Sequence, residues 1–308
     1  MIVILGPTAS GKTYLATRLA FRIGGEIISA DSRQVYRGMN IGTGKDLDEY
    51  TVEEQPIPYH LIDILDAGEK YNVHRFQQDV EKAVTLINSR DKVPILCGGT
   101  GLYIQAVLSN HQYTSIPVNE ILRSELEALP HESLLEILSQ TPSKFSALAD
   151  TSTRKRTIRA IEIARYLTKH PEFQLPALIT AQFTIFGLNP PVEVRRNRIS
   201  RRLQERLANG LIEEVQGLLD QGLSPDQLIY YGLEYKYLTE YLMGEISYGE
   251  MAKKLETEIH RFAKRQMTYF RKMERDGLKI HWLNAADSPA QWLETILMNY
   301  NQTDLPHE

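Results

Sequence analysis

At 308 residues, with 42% hydrophobic and 24% charged side chains, the chain is long enough to bury a sizeable core in one or two domains. Its formal charge of −4 argues at first sight against a polyanionic partner, and its single cysteine, Cys97, excludes an intramolecular disulfide or a cysteine-rich zinc module. No apolar run approaches the roughly 18 residues of a membrane span and the pattern is readable from Met1, so no membrane segment or leader is expected and a cytoplasmic location is.

The first element is an apolar strand, Ile2 to Leu5, followed by Gly6-Pro7-Thr8-Ala9-Ser10-Gly11-Lys12-Thr13 and then a helical pattern in which Leu15, Leu19 and Ile23 recur every fourth residue. This is the phosphate-loop pattern GxxxxGK[ST] between the strand and helix that give it mechanical meaning. The glycines let backbone N–H groups close around a pyrophosphate. The helix N-terminus adds partial positive charge, Lys12 reaches a terminal phosphate, and the Thr13 hydroxyl suits Mg²⁺. Glu26 to Ala30 reads as a second strand, Tyr59 to Leu65 as a strand or buried turn, Val73 to Asn88 as an amphipathic helix and Val93 to Cys97 as a buried strand, where Cys97 is a core thiol. Strands alternating with helices indicate an α/β fold with a parallel sheet of the P-loop NTPase type.

After Leu108 the pattern turns helical, with polar breaks and no strand until Gln182 to Leu188, which returns the chain to the sheet. The expected organisation is a core of residues 1–112 and 181–308 with an all-helical insertion at 113–180. Helices follow at Ile199 to Leu219 and Gly249 to Met273. The mild net charge conceals segregation: windows 154–169, 195–206 and 260–275 each hold six Lys or Arg and one acid, so they carry +15 against −19 on the remainder. On a helix, Arg261, Lys264, Arg265, Arg271, Lys272 and Arg275 fall within an arc of about 120°, opposite Ile259, Phe262, Ala263, Met267, Phe270 and Met273. One core face and one cationic face without interleaved acids point to phosphate binding.

An ATP-using enzyme is expected to offer a strand of apolar residues ending in Asp to hold Mg²⁺. Here the best-placed buried strand ends Ile95-Leu96-Cys97-Gly98-Gly99-Thr100-Gly101, with a hydroxyl instead, and the runner-up, Leu61-Ile62-Asp63, has a short apolar lead. The carboxylate nearest the phosphates by this reasoning is Asp31, just past the second strand, so Asp31 and Thr100 should converge on the ligand.

The segments Gly6–Thr13 (GPTASGKT), Asp31–Tyr36 (DSRQVY), Ile41–Lys45 (IGTGK), Tyr59–Asp63 (YHLID), Gly98–Tyr103 (GGTGLY), Arg156–Glu162 (RTIRAIE) and Lys264–Arg271 (KRQMTYFR) resemble, in order and over about nine tenths of the chain, the tRNA dimethylallyltransferases. The resemblance implies transfer of a dimethylallyl group from dimethylallyl pyrophosphate to N6 of the adenine 3′-adjacent to the anticodon of tRNA. The phosphate loop and Mg²⁺ would then serve a prenyl pyrophosphate, Asp31 would be the general base, and Thr100 would contact the substrate. It further implies tRNA contacts by Asp31, Ser32, Arg33 and Gln34, by Lys155, Arg156, Thr157, Ile158 and Arg159, and by Arg123, beside those expected of Arg261, Lys264 and Arg265. Three departures stand out: Ser152-Thr153 for Asn-Asp, Gly232-Leu233-Glu234-Tyr235 for Gly-Tyr-Lys-Glu, and Tyr269 for Trp. The single cysteine and the stop at Glu308 resemble the bacterial form, which lacks an appended zinc finger, and a monomer is expected. An isopentenyltransferase acting on free adenine nucleotides, a small-molecule kinase or an RNA-binding NTP sensor would also keep the loop. None of them accounts for both the cationic stripes and the strand-end Asp31 and Thr100.

Overall fold

The structure, a computed structural model, describes residues 1–109, 111–175 and 182–303; the limit expected for the insertion at 180 to 181 lies outside them. The chain divides into two units, Met1–Ser109 with Thr180–Glu308, and Asn110–Ile179. In chain order the first unit begins with β1 (Ile2–Leu5), α1 (Lys12–Ile23) and β2 (Gly25–Ala30). A short antiparallel pair, β3 (Thr51–Val52) and β4 (Gln55–Pro56), then leads to β5 (Tyr59–His60), α2 (Val73–Asn88), β6 (Val93–Gly98) and α3 (Gly101–Leu108). The second unit holds α4 (Glu120–Glu127), α5 (His131–Ser139) and α6 (Arg154–Lys169). The first unit resumes with β7 (Thr184–Gly187), α7 (Val192–Ala208), α8 (Leu211–Asp220), α9 (Pro225–Tyr231), α10 (Leu233–Leu242), α11 (Tyr248–Arg275), β8 (Ile280–Trp282) and α12 (Pro289–Thr303).

Six strands form one parallel sheet in the order β5-β2-β6-β1-β7-β8. β1, β2 and the last five residues of β6 are buried throughout, as a sheet covered on both faces requires; β1 and β6 accordingly read as apolar runs, while β2 also buries Glu26, paired with His60 and Arg90, and Ser29, bonded to Gln34. The register fixes the site: Leu5 of β1 pairs with Gly98 of β6, and Gly98 pairs with Ala30 of β2. Gly6, Gly99 and Asp31 therefore leave the sheet side by side, about 5 Å apart from strand to strand.

Several expectations are corrected. The single helix expected over Ile199 to Leu219 is two, α7 and α8, because Gly210 adopts φ 97° and ends the run. Tyr59 to Leu65, expected as a strand or buried turn, is both: Tyr59–His60 pairs as a strand, Leu61 and Asp63 then take positive φ and turn the chain with Leu61, Ile62 and Leu65 buried, and Leu65 makes an isolated bridge to Tyr36. β8 was not expected at all, being three residues long.

The second unit has its own core of Leu122, Leu126, Leu134, Leu138, Ile158 and Ile161. Its one buried acid, Glu162, takes a two-pronged contact from Arg123 (Nε 3.0 Å, Nη2 2.9 Å) and a third from Arg159 (3.3 Å), whose guanidinium also donates to the carbonyls of Tyr113, Ile116 and Pro117. Arg123 and Arg159 are thus internal struts: a buried carboxylate without these partners would be strongly destabilising.

A second pair of struts shapes the loop after β2. The buried ammonium of Lys45 donates to the carbonyl of Tyr36, to Asn40 Oδ1 and to Asp63. The Glu214 carboxylate on α8 accepts the N–H groups of Asn40 (2.8 Å), Ile41 (2.6 Å) and Gly42 (3.0 Å) and the Tyr235 hydroxyl (2.8 Å). Three successive backbone donors on one carboxylate hold residues 40–44 as a rigid wall. Glu214→Gln turns one accepting oxygen into a donor facing other donors. We expect it to cost roughly 2–3 kcal/mol in chemical denaturation, and a loss below about 0.5 kcal/mol, the range of an ordinary surface change, would show that the clamp holds nothing.

Candidate active site

The phosphate loop bends where its sequence allows. Gly11 takes φ 87° and Ala9 φ 59°, so two left-handed residues flank Ser10 and turn the loop back over the strand end. A side chain at Gly6 would strike the buried Ser10 hydroxyl, 2.6 Å from the position of its Cβ, which confines that position to glycine.

Two openings share this loop. The first is lined by residues 9–14 of the loop and α1, by Asp46 and Glu49, by Arg198, Arg201 and Arg202 of α7, and by Trp292. The second is lined by Thr8, Lys12, Thr13, Asp31 to Gln34, Gly42 to Gly44, Thr100, Arg202, Arg206, Tyr231 to Tyr235, Ile259, Phe262 and Gln266. Lys12, Thr13 and Arg202 belong to both. The structure therefore brings Asp31, Ser32, Arg33, Gln34 and Thr100 together with Lys12 and Thr13, while Lys264, Arg265 and Arg261 lie exposed on the opposite side of α11 from Ile259.

Local hydrogen bonds orient the strand-end groups. Asp31 Oδ1 accepts the N–H of Arg33 (2.8 Å), and Thr100 Oγ1 accepts the N–H of Ser32 (3.2 Å), tying the end of β2 to the start of α3. Gln34 is held at both ends of its amide: Nε2 donates to the Gly44 carbonyl (2.9 Å) and Oε1 accepts from Ser29 (2.8 Å). One N–H and one oxygen lone pair of that amide stay available to a ligand. On α11, Gln266 accepts the Thr8 N–H (2.9 Å) and donates to the Gly99 carbonyl (2.9 Å), joining phosphate loop to the β6–α3 turn.

Burial pushes the Lys12 ammonium below the usual lysine range, with Cys97 and then Asp31 opposing. Burial lifts the Cys97 thiol to about 12, so at neutral pH it is an uncharged neighbour. Glu234 is likewise raised by burial, against the pull of Arg206 and Arg202. Arg202 and Arg206, one helical turn apart, both reach Asp46.

The cationic windows divide on inspection. In 195–206, Arg195 is buried and Arg198, Arg201, Arg202 and Arg206 line the openings, so most of that window is turned to the site. On α11 the expected absence of acids is corrected: Glu258, just outside the window, pairs with Arg261 (2.6 Å) and more loosely with Arg265 (3.8 Å). Phe262, expected in the core, lines the second opening. In the second unit Thr157 and Ile158 are buried at 0% and 5% exposure, and Arg123 and Arg159 are spent on Glu162; Lys155 and Arg156 are the members of that group left facing solvent.

The three departures also find places. Thr153 caps α6 by accepting the Arg156 N–H, and Ser152 accepts from the Arg156 side chain (2.7 Å), so the pair serves the helix start as Asn-Asp would. The Tyr269 ring fills the space above Gly101, where a Cβ would lie 2.4 Å from it, and its hydroxyl donates to Gln105 (2.7 Å). Gly232 to Tyr235 form part of the wall of the second opening itself. Arg202, Arg206, Glu214, Glu234 and Gln266 are site residues that the sequence did not mark as such, although all but Glu214 lie in a segment or window it singles out.

The model of the IPP transferase family matches residues 34–273. The chain is 55% identical over 284 residues to the tRNA dimethylallyltransferase 1 of Azobacteroides pseudotrichonymphae, covering 92% of each. It is 52% identical over 288 residues to the tRNA dimethylallyltransferase 2 of Bacteroides fragilis, covering 93% of each. Its structure matches the full-length tRNA isopentenylpyrophosphate transferase of Bacillus halodurans with TM-score 0.70 at 34% identity, over 98% of this chain and 95% of that one. The fold is also that of a eukaryotic dimethylallyltransferase solved acting on tRNA, with TM-score 0.78 at 22% identity, over 100% of this chain and 80% of that one. By sequence and by structure, then, the chain belongs to the IPP transferase family.

Proposed function

We propose that the chain transfers a dimethylallyl group from dimethylallyl pyrophosphate to N6 of the adenine 3′-adjacent to the anticodon in tRNA. The observation that carries this reading is the pair of openings that meet at Lys12, Thr13 and Arg202. A donor whose pyrophosphate lies on the loop can be approached from the second opening by a base, and the groups waiting there suit an adenine. Asp31 accepts a proton, the free N–H and lone pair of Gln34 match the donor and acceptor pattern of an adenine edge, and Ile259 and Phe262 offer an apolar wall to the prenyl chain. A free-nucleotide acceptor would offer no run of phosphates to the exposed face of α11, whose cations Glu258 neutralises only in part.

In the reaction N6 attacks the allylic carbon, the C–O bond breaks with its electrons passing to pyrophosphate, and the N6 proton passes to Asp31. With the pyrophosphate on the loop, its backbone N–H groups, Lys12 and Arg202 would face the oxygen on which charge develops, and fixed donors of that kind are commonly the largest catalytic contribution. The donor set fits Mg²⁺, which takes one or two protein oxygens and completes its shell with phosphate and water: the Thr13 hydroxyl stands at the first turn of α1 beside Lys12 and in the same opening as Asp31. When bound, the ion would neutralise pyrophosphate charge. The target adenine must leave its stack to enter, at a cost of a few kcal/mol that contacts to the loop have to offset.

We expect Asp31→Ala to keep donor and tRNA binding but slow single-turnover transfer by roughly 10²- to 10⁴-fold, and Asp31→Asn to be nearly as slow because it keeps the shape without the basicity. A variant rate within about threefold of the parent, far below the worth of a positioned base, would remove Asp31 from the chemistry.

Lys12→Ala should abolish donor binding and leave tRNA affinity roughly intact, since exposed cations elsewhere meet the tRNA phosphates. Titrating each ligand separately distinguishes this from the reverse result, which would reassign the loop.

For α11, Lys264→Gln should flatten the log–log salt dependence of tRNA affinity by about 0.7 to 0.9, and Arg261→Gln by less, because Glu258 already neutralises that guanidinium. An unchanged slope in both would assign the face to solvent.

A further inference from the structure

One feature at the rim of the second opening plays no part in the chemistry above. Tyr230, the penultimate residue of α9, is 70% exposed, although the tyrosines around it are buried. Tyr231 packs edge-on against Tyr36 (centroids 4.9 Å) and against Tyr235 (6.1 Å), and its hydroxyl accepts the Gly68 N–H (2.6 Å). Those contacts close the core without help from Tyr230, whose ring stands 6.1 Å from Tyr231 and tilted 67° to it. The Arg33 guanidinium is held between the two, its carbon 5.8 Å from the Tyr230 centroid and 5.3 Å from that of Tyr231. The backbone N–H of the same Arg33 is bonded to Asp31, so this aromatic and guanidinium pair is fixed two residues from the proposed base. A planar cation beside an exposed ring, braced from behind by a packed tyrosine cluster, is the surface on which unpaired RNA bases stack.

We propose that Tyr230 and Arg33 form a stacking subsite for the nucleobase adjacent to the target adenine, replacing the stacking that the neighbour loses when the adenine is drawn into the second opening. The inference rests on the tRNA reading above. It accounts for an exposed ring at the rim, and it selects substrates whose flanking nucleotide is unpaired.

The test uses the whole protein, dimethylallyl pyrophosphate and anticodon stem-loop RNAs that are intact or abasic at the nucleotide just 5′ or just 3′ of the target. Tyr230→Ala should lower kcat/KM on the intact RNA by roughly ten- to a hundredfold, the worth of one base–aromatic stack, and Tyr230→Phe should restore it. At one flanking position the abasic RNA should cost the parent protein the same factor and cost Tyr230→Ala nothing more. Tyr230→Ala within about twofold of the parent, or losses that multiply at both flanking positions, would overturn the subsite. 2-Aminopurine at the flanking position reads the stack without chemistry. Quenching on binding that Tyr230→Ala abolishes would support the subsite even if no transfer occurred, in which case the proposed reaction, and not the subsite, would fall.

Discussion

The side-chain amide of Gln266 is the contact on which the rest of the site depends. Its oxygen holds the Thr8 N–H of the phosphate loop and its nitrogen holds the Gly99 carbonyl at the end of β6, so one residue of α11 joins the donor cradle to the turn that presents Thr100. A parallel sheet brings strand ends into line but leaves the connections above them free to move independently. Gln266 removes that freedom. Because it lies nine-tenths buried, an unsatisfied amide there would cost as much as the bonds it makes, so the geometry is fixed by a penalty as well as by a gain.

Electrostatics and shape are arranged on the same scaffold. α7 turns Arg202 and Arg206 inward, where Asp46 steadies them, sets Arg201 at the exposed edge of the first opening, and carries Arg196 on its solvent side. Asp31 lines the second opening together with Arg202 and Arg206, and the half-buried Glu234 beside them has its charge opposed by desolvation and supported by the same two arginines. Glu214 and Lys45 do for the 40–44 wall what Gln266 does for the strand ends: the half-buried Glu214 carboxylate gathers three backbone N–H groups, the buried Lys45 ammonium joins the Tyr36 carbonyl to the side chains of Asn40 and Asp63, and together they convert a glycine-rich loop into a fixed surface.

How much of this could be read in the sequence followed from how local the signal was. β1, the phosphate loop, α2 and the Asp31 and Thr100 positions are adjacent in sequence to apolar runs whose period is clear, and the parallel register then sets Gly6, Asp31 and Gly99 beside one another without further information. Helices α7 and α11 were legible as amphipathic, yet periodicity tells which face is buried and not what it is buried against. Phe262 was therefore assigned to the core when it faces an opening, and Arg202 was grouped with a surface stripe when it reaches the phosphate loop. Thr157, Ile158 and Arg159 fell within a recognised motif, but that motif marks a buried carboxylate, Glu162, and its struts as much as a surface, and Arg123 is the second of those struts. Glu214 carried no sequence signal at all, because its partners are backbone N–H groups 172 to 174 residues away.

Cys97 is the penultimate residue of β6, near the phosphate loop, and buried, with its thiol lifted to about 12. At neutral pH almost none of it is thiolate, and the thiolate is the species that alkylating reagents and peroxides attack. The chain's only cysteine is thus expected to stay silent to maleimide and iodoacetamide labels in the folded protein. A cysteine introduced on an exposed helix position can carry a fluorophore or spin label at a single site with no background to remove first, and loss of that silence would itself report opening of the sheet beneath the loop.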